Sequence, residues 1–127
     1  MADYVSGARS VLVVDDDEDI RETVADVLRD AGYTVRVAAD GSEALVEMRD
    51  CAPCVVLLDL MMPRIDGWQV VEEMRRDPEL AEIPVCIVSA QAALAPATTV
   101  AVLSKPVSIE GLLRVVSAHC HCAASVA

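Results

Sequence analysis

A chain of 127 residues is long enough for one hydrophobic core and too short for two. Hydrophobic residues make up 54% of it, which excludes a disordered linker. A formal charge of -11 would repel a phosphate backbone, and Tyr4, Tyr33 and Trp68 are too few aromatics to stack single-stranded bases, so no nucleic-acid partner is expected.

The apolar run Val11–Val14 predicts a buried strand. Asp15, Asp16 and Asp17 follow, and Asp17 is placed to cap the next helix. Ile20, Val24, Val27, Leu28 and Ala31 then recur at helical spacing, with Gly32 where a helix C-terminus favours it. Thr34–Ala38 is β-branched and predicts a second strand. Ser42–Met48 predicts a helix with Ala44, Leu45 and Met48 on one face. Cys54–Leu58 is the third strand and ends on the carboxylate of Asp59. Gly67–Arg76 predicts a helix with Val70, Val71 and Met74 inward. Pro84–Val88 predicts a fourth strand, in which Cys86 is a core side chain. Val100–Leu103 predicts a fifth, and Ser108–Ala118 a final helix.

Strands that alternate with helices and are continuously apolar predict a parallel sheet covered on both faces, an α/β doubly wound architecture. One domain over residues 10–118 is expected, with tails at 1–9 and 119–127. Met1–Ser10 lacks the basic start and apolar stretch of a signal peptide, and no apolar run approaches membrane-spanning length. A cytoplasmic location without a membrane partner is therefore expected, and the five cysteines are expected as reduced thiols.

In such sheets the functional crevice lies beyond the carboxyl ends of the strands. Asp15 and Asp16 follow the first strand, Asp59 the third and Ser89 the fourth. Lys105, the only lysine of the chain, comes just after the fifth. Three carboxylates gathered there repel one another unless a cation joins them. One lysine leaves a deficit that suggests a divalent ion with hard oxygen ligands, Mg²⁺ or Mn²⁺ before zinc.

The pieces VLVVDD at 11–16, VVLLDLMMPRIDG at 55–67, VSA at 88–90 and KP at 105–106 stand in order, each at a strand end. From about Ser10 to about Ala118 the chain resembles a receiver domain of the two-component response-regulator family, similar to the stand-alone chemotaxis regulators. The resemblance implies a flavodoxin-like five-stranded sheet. It implies that Asp59 is a phosphoacceptor charged by a phosphohistidine on a sensor histidine kinase or phosphotransfer protein. It also implies Mg²⁺ held by Asp16, Asp59 and the backbone carbonyl of Met61, with Asp15 orienting a metal-bound water. Ser89 would bond the phosphoryl oxygens and Lys105 pair with them. Beyond self-catalysed transfer and autodephosphorylation, no enzyme activity is implied, and the downstream partner protein is not named by the sequence.

Two departures from the family bear on output. The connection from Ser89 to Lys105 is short and broken by Pro96, so the helix between the fourth and fifth strands should be short, distorted or absent. Val102 stands where the family usually has an aromatic switch residue. These features favour an alternative reading, a receiver-like interaction scaffold that no longer switches. The chain has no room for an effector domain, so it reads as a stand-alone receiver or a piece of a larger protein.

Other motifs have weaker readings. Asp15, Asp17 and Asp19 mimic a calcium loop, but Ile20 occupies the required glycine position. The same acids resemble an aspartyl phosphatase of the haloacid dehalogenase family, yet only Glu110 follows Lys105 as a further acid. Cys51-Ala52-Pro53-Cys54 follows a helix and opens a strand, the reverse of the thioredoxin arrangement. His119-Cys120-His121-Cys122 reads as a solvated tail, since four consecutive residues rarely surround one tetrahedral ion.

Overall fold

A computed structural model describes residues 10–90 and 99–120. Within them lie β1 (Ser10–Val14), α1 (Glu18–Asp30), β2 (Thr34–Ala38), α2 (Gly41–Asp50), β3 (Val55–Leu58), α3 (Gly67–Arg76), β4 (Val85–Ser89), β5 (Ala101–Ser104) and α4 (Ile109–His119). The strands form one parallel sheet in the order β2-β1-β3-β4-β5. This is the α/β doubly wound fold that the strand–helix alternation predicts. The region where a short, distorted or absent helix is expected falls mainly on residues 91–98, outside the described residues.

Every residue of β1, β3 and β4 is buried. Side chains alternate across a strand, so one unbroken apolar run supplies two cores. Leu12, Val14, Val56, Leu58 and Ile87 face Met48 of α2 and Val70 and Met74 of α3. Val11, Val13, Val55, Leu57 and Cys86 face Leu28 of α1 and Leu112 and Val116 of α4. A polar side chain in either set would have no solvent-facing side to turn to.

The helices begin where the sequence supplies caps. Asp17 accepts the N–H groups of Asp19 and Ile20. Asp66 and Gln69 form a reciprocal capping box at α3, and Ser108 accepts the N–H of Gly111 at α4. After α1 the chain turns through Gly32, whose φ of +100° suits glycine.

Two expectations are corrected at the amino-terminal end of the sheet. Cys54 and Cys120 form a disulfide with their Cα atoms 5.4 Å apart, so the cysteines are not all reduced thiols. Cys120 is also buried at the carboxyl cap of α4, so it is not part of a solvated tail. Both follow from tertiary packing, because seating Leu112 and Val116 against Val55 and Leu57 carries the end of α4 to the start of β3. His121 and Cys122 lie outside the described residues.

Candidate functional site

The chain pairs β1 with β2 on one side and with β3 on the other, so the strand order reverses around β1. A crevice opens at the carboxyl ends of strands at such a reversal. The register sets what stands there. Val14 is the partner of Leu58, so Asp15 and Asp59 leave the sheet side by side. Backbone bonds hold both: the Asp59 N–H donates to the Val14 carbonyl at 3.1 Å, and the Asp15 N–H to the Ala38 carbonyl at 3.2 Å. Ser89 pairs with Ser104 one strand further out, and the Lys105 N–H donates to the Ser89 carbonyl at 3.2 Å.

These neighbours bring the predicted side chains together. Lys105 Nζ donates to Asp15 Oδ2 at 2.8 Å and to Asp59 Oδ2 at 3.2 Å. The other oxygen of each carboxylate takes a backbone donor: the Asp17 N–H reaches Asp15 Oδ1 at 3.0 Å, and the Met61 N–H reaches Asp59 Oδ1 at 3.2 Å. Asp15 and Asp59 are 4% and 5% exposed, low enough that unpaired charge there would be costly. Ser89 is buried at the end of β4, while Asp16 and the Met61 side chain are exposed. Oxygens of Asp15, Asp16 and Asp59 all lie within 4.8 Å of one another, the only such acidic, histidine or cysteine group among the described residues. Hard carboxylate oxygens around an opening to solvent suit a small divalent cation that keeps some of its water.

Burial raises the Asp15 carboxyl above the usual range, and the hydrogen bond from Lys105 offsets only part of that. Burial alone would lower the Lys105 ammonium. Its hydrogen bond to Asp15 and the charges of Asp15 and Asp59 outweigh burial, so Lys105 stays protonated to a higher pH than a free lysine. The site is thus a partly buried cation bridging two buried carboxylates, with a third, exposed carboxylate beside them.

One contributor escapes the sequence patterns. Arg21 of α1 donates from Nη1 to the Asp15 carbonyl at 3.0 Å and anchors the acidic turn from behind. The available signal was its position near the start of α1, where the helix dipole disfavours a cation. A cavity of about 500 Å³ runs beside the site, lined by Asp19, Ile20, Thr23 and Val24 of α1 and by Lys105, Pro106 and Val107. The glycine that opens α3 also belongs to the site's frame. Its N–H bonds the Leu60 carbonyl at 2.9 Å, and the turn after Asp59 passes too close for a side chain at position 67.

The family model described as the response regulator receiver domain matches residues 11–117. Protein PilG of Pseudomonas aeruginosa is 32% identical over 120 residues, spanning 90% of this chain and 89% of its own. The DNA-binding dual master transcriptional regulator RpaA of Synechocystis sp. is 39% identical over 80 residues, which are 63% of this chain and 33% of that protein. Among solved structures, a putative response regulator from Chloroflexus aurantiacus superposes with a TM-score of 0.81 at 31% identity, covering 89% of this chain and 98% of that one. The chemotaxis protein CheY4 of Vibrio cholerae gives a TM-score of 0.77 at 30% identity, covering 87% and 97%. No helix among the described residues is long and apolar enough to cross a membrane.

Proposed function

Because the chain belongs to the response regulator receiver-domain family of two-component systems, we propose that Asp59 is its phosphoacceptor. The donor would be a phosphohistidine on a sensor histidine kinase or phosphotransfer protein. Asp15, Asp16, Asp59 and the backbone carbonyl of Met61 would hold Mg²⁺, which when bound supplies positive charge against the transferring phosphoryl oxygens. Lys105 supplies a second, permanent charge on the buried side, and the Ser89 hydroxyl donates to a phosphoryl oxygen. Lys105 Nζ and the Met61 N–H each bond one oxygen of Asp59, which fixes the carboxylate in place for attack on phosphorus.

One observation carries this reading. A single lysine ammonium touches both buried carboxylates at the strand-order reversal. An ion pair kept only for stability would be an expensive choice there, since two buried charges seldom gain more than well-packed apolar residues would. The cavity between α1 and Val107 lies on the approach to Lys105, so the donor is expected to dock against α1.

The test is labelling of the purified chain by acetyl phosphate with Mg²⁺. Phosphate should appear on Asp59, disappear in Asp59→Asn, weaken in Asp16→Asn and stop with EDTA. Undiminished labelling of Asp59→Asn would overturn the assignment.

A further inference from the structure

Far from the acidic site, two cysteine motifs that look unrelated in the sequence meet. Cys54 closes the CAPC motif just before β3, and Cys120 lies in the HCHC run at the end of α4, 66 residues later. We propose that Cys54 and Cys120 form a thiol–disulfide exchange site that clamps α4 to the base of β3. The oxidant would be a low-molecular-weight disulfide of the glutathione type.

The Cα separation of 5.4 Å falls inside the range a disulfide spans without backbone movement. The two sulfurs differ in access: Cys54 is partly exposed, whereas Cys120 is 1% exposed. Cys54 is therefore the sulfur that meets the oxidant. Its thiolate attacks one sulfur of the small disulfide, whose S–S bond breaks and releases one small thiolate. The Cys120 thiolate then attacks Sγ of Cys54 and expels the second. Two cysteine thiols lose two electrons in all, the small disulfide gains them, and the two cysteine protons end on the two released thiols.

The reduced state is also accommodated. With a hydrogen on sulfur, Cys54 Sγ has the Ser10 carbonyl as acceptor at 3.3 Å. The need for a clamp is visible in α4, an 11-residue helix with only Leu112 and Val116 buried. Cys120 extends that short row by one more turn, and its N–H bonds the Val116 carbonyl at 2.7 Å. Reopening runs the same route in reverse: a small thiolate attacks the accessible Cys54 sulfur and expels Cys120. Cys51 caps the carboxyl end of α2 and does not open a helix, so the CAPC pair lacks the thioredoxin arrangement.

Metal binding by the same sulfurs is the competing chemistry. Zn²⁺ is therefore tested as the alternative occupant of Cys54 and Cys120.

The experiment oxidises the full chain with glutathione disulfide, traps remaining thiols with N-ethylmaleimide and maps the bonds by mass spectrometry. A Cys54–Cys120 bond is expected. Its reduction should lower Tm by at least about 5 °C, as for removal of a disulfide closing a long loop. The shift should persist in a Cys51→Ser, Cys122→Ser double variant and vanish in Cys54→Ser. If Cys54→Ser fails to fold, the bond map and melting shift of the unaltered chain still decide. Four results would each overturn the proposal: both thiols alkylated after oxidation, a Cys51–Cys54 bridge instead, a melting shift retained in folded Cys54→Ser, or one equivalent of Zn²⁺ protecting both sulfurs.

Discussion

Lys105 Nζ lies 3.2 Å from Asp59 Oδ2, across 46 residues of chain. The same nitrogen is 2.8 Å from Asp15 Oδ2, so one ammonium joins the ends of β1, β3 and β5. Remove it and two nearly buried carboxylates face each other with no fixed cation between them. Lys105→Ala should therefore lower stability in the absence of divalent ions. Because the lysine side chain keeps 18% exposure, solvent softens the loss to about 1–3 kcal/mol, below that for a fully buried pair. Mg²⁺ should recover part of it, since an ion that binds only the folded state stabilises that state. Thermal melts with Mg²⁺ and with NaCl of matched ionic strength would check this. Equal recovery by the two salts would show that no specific cation site exists.

Gly67 has a second expected outcome. A Cβ at this position would lie 2.6 Å from the Asp59 carbonyl oxygen and 2.7 Å from the Leu60 Cα. Both obstacles are backbone and cannot rotate away. Gly67→Ala should cost about 1–3 kcal/mol and displace the turn that carries Asp59, lowering acetyl phosphate labelling as well as the urea midpoint. Gly32→Ala is the control, since its cost comes from φ of +100° in open space and should leave labelling unchanged. A Gly67→Ala chain with normal midpoint and labelling would contradict the close approach.

The lifetime of the phosphorylated state should depend on Met61. Its side chain is 55% exposed two residues after Asp59, and its apolar thioether offers an attacking water no strong hydrogen bond. Met61→Asn should speed the loss of phosphate from Asp59 several-fold, read as release of inorganic phosphate after the donor is removed. An unchanged or slower rate would count against this role of Met61.

Alkaline pH supplies a fourth outcome. Burial pushes the Cys86 thiol from 9.0 up to about 12. The folded chain then holds this proton where the unfolded chain has released it. The resulting stability is fully present below pH 9 and is lost as pH rises through about 12. By pH 10 the contribution of this thiol should have fallen by about 1.4 kcal/mol. Other groups also lose protons at alkaline pH, so the readout is a comparison of slopes. The urea midpoint of Cys86→Ala should decline less between pH 8 and pH 10.5 than that of the unaltered chain. Identical slopes would place the Cys86 thiol in a more open environment than the core of β4.

Much of this protein is written in short-range patterns. A run such as Val11–Val14 specifies a buried strand wherever it sits, because each residue independently favours removal from water. Asp17 specifies a helix start because its carboxylate reaches N–H groups only two and three residues ahead. The acids at 15, 16 and 59, the hydroxyl at 89 and the lysine at 105 were legible because each sits at the carboxyl end of a strand or one or two residues past it. Arg21 was not, since its partner is a carbonyl fixed only after α1 packs.

Tertiary structure decided everything that depends on which strand lies beside which. Nothing within a few residues of Cys54 points to Cys120, and the two motifs read separately suggest a reversed redox pair and a solvated tail. Their meeting follows from the seating of α4 on the face formed by Val55 and Leu57, a choice made by the whole core at once. The bridging of Asp15 and Asp59 by Lys105 has the same origin. Local preferences extend over about one helical turn, whereas closing loops of 46, 66 and 90 residues costs entropy that only the completed sheet and its two apolar faces offset.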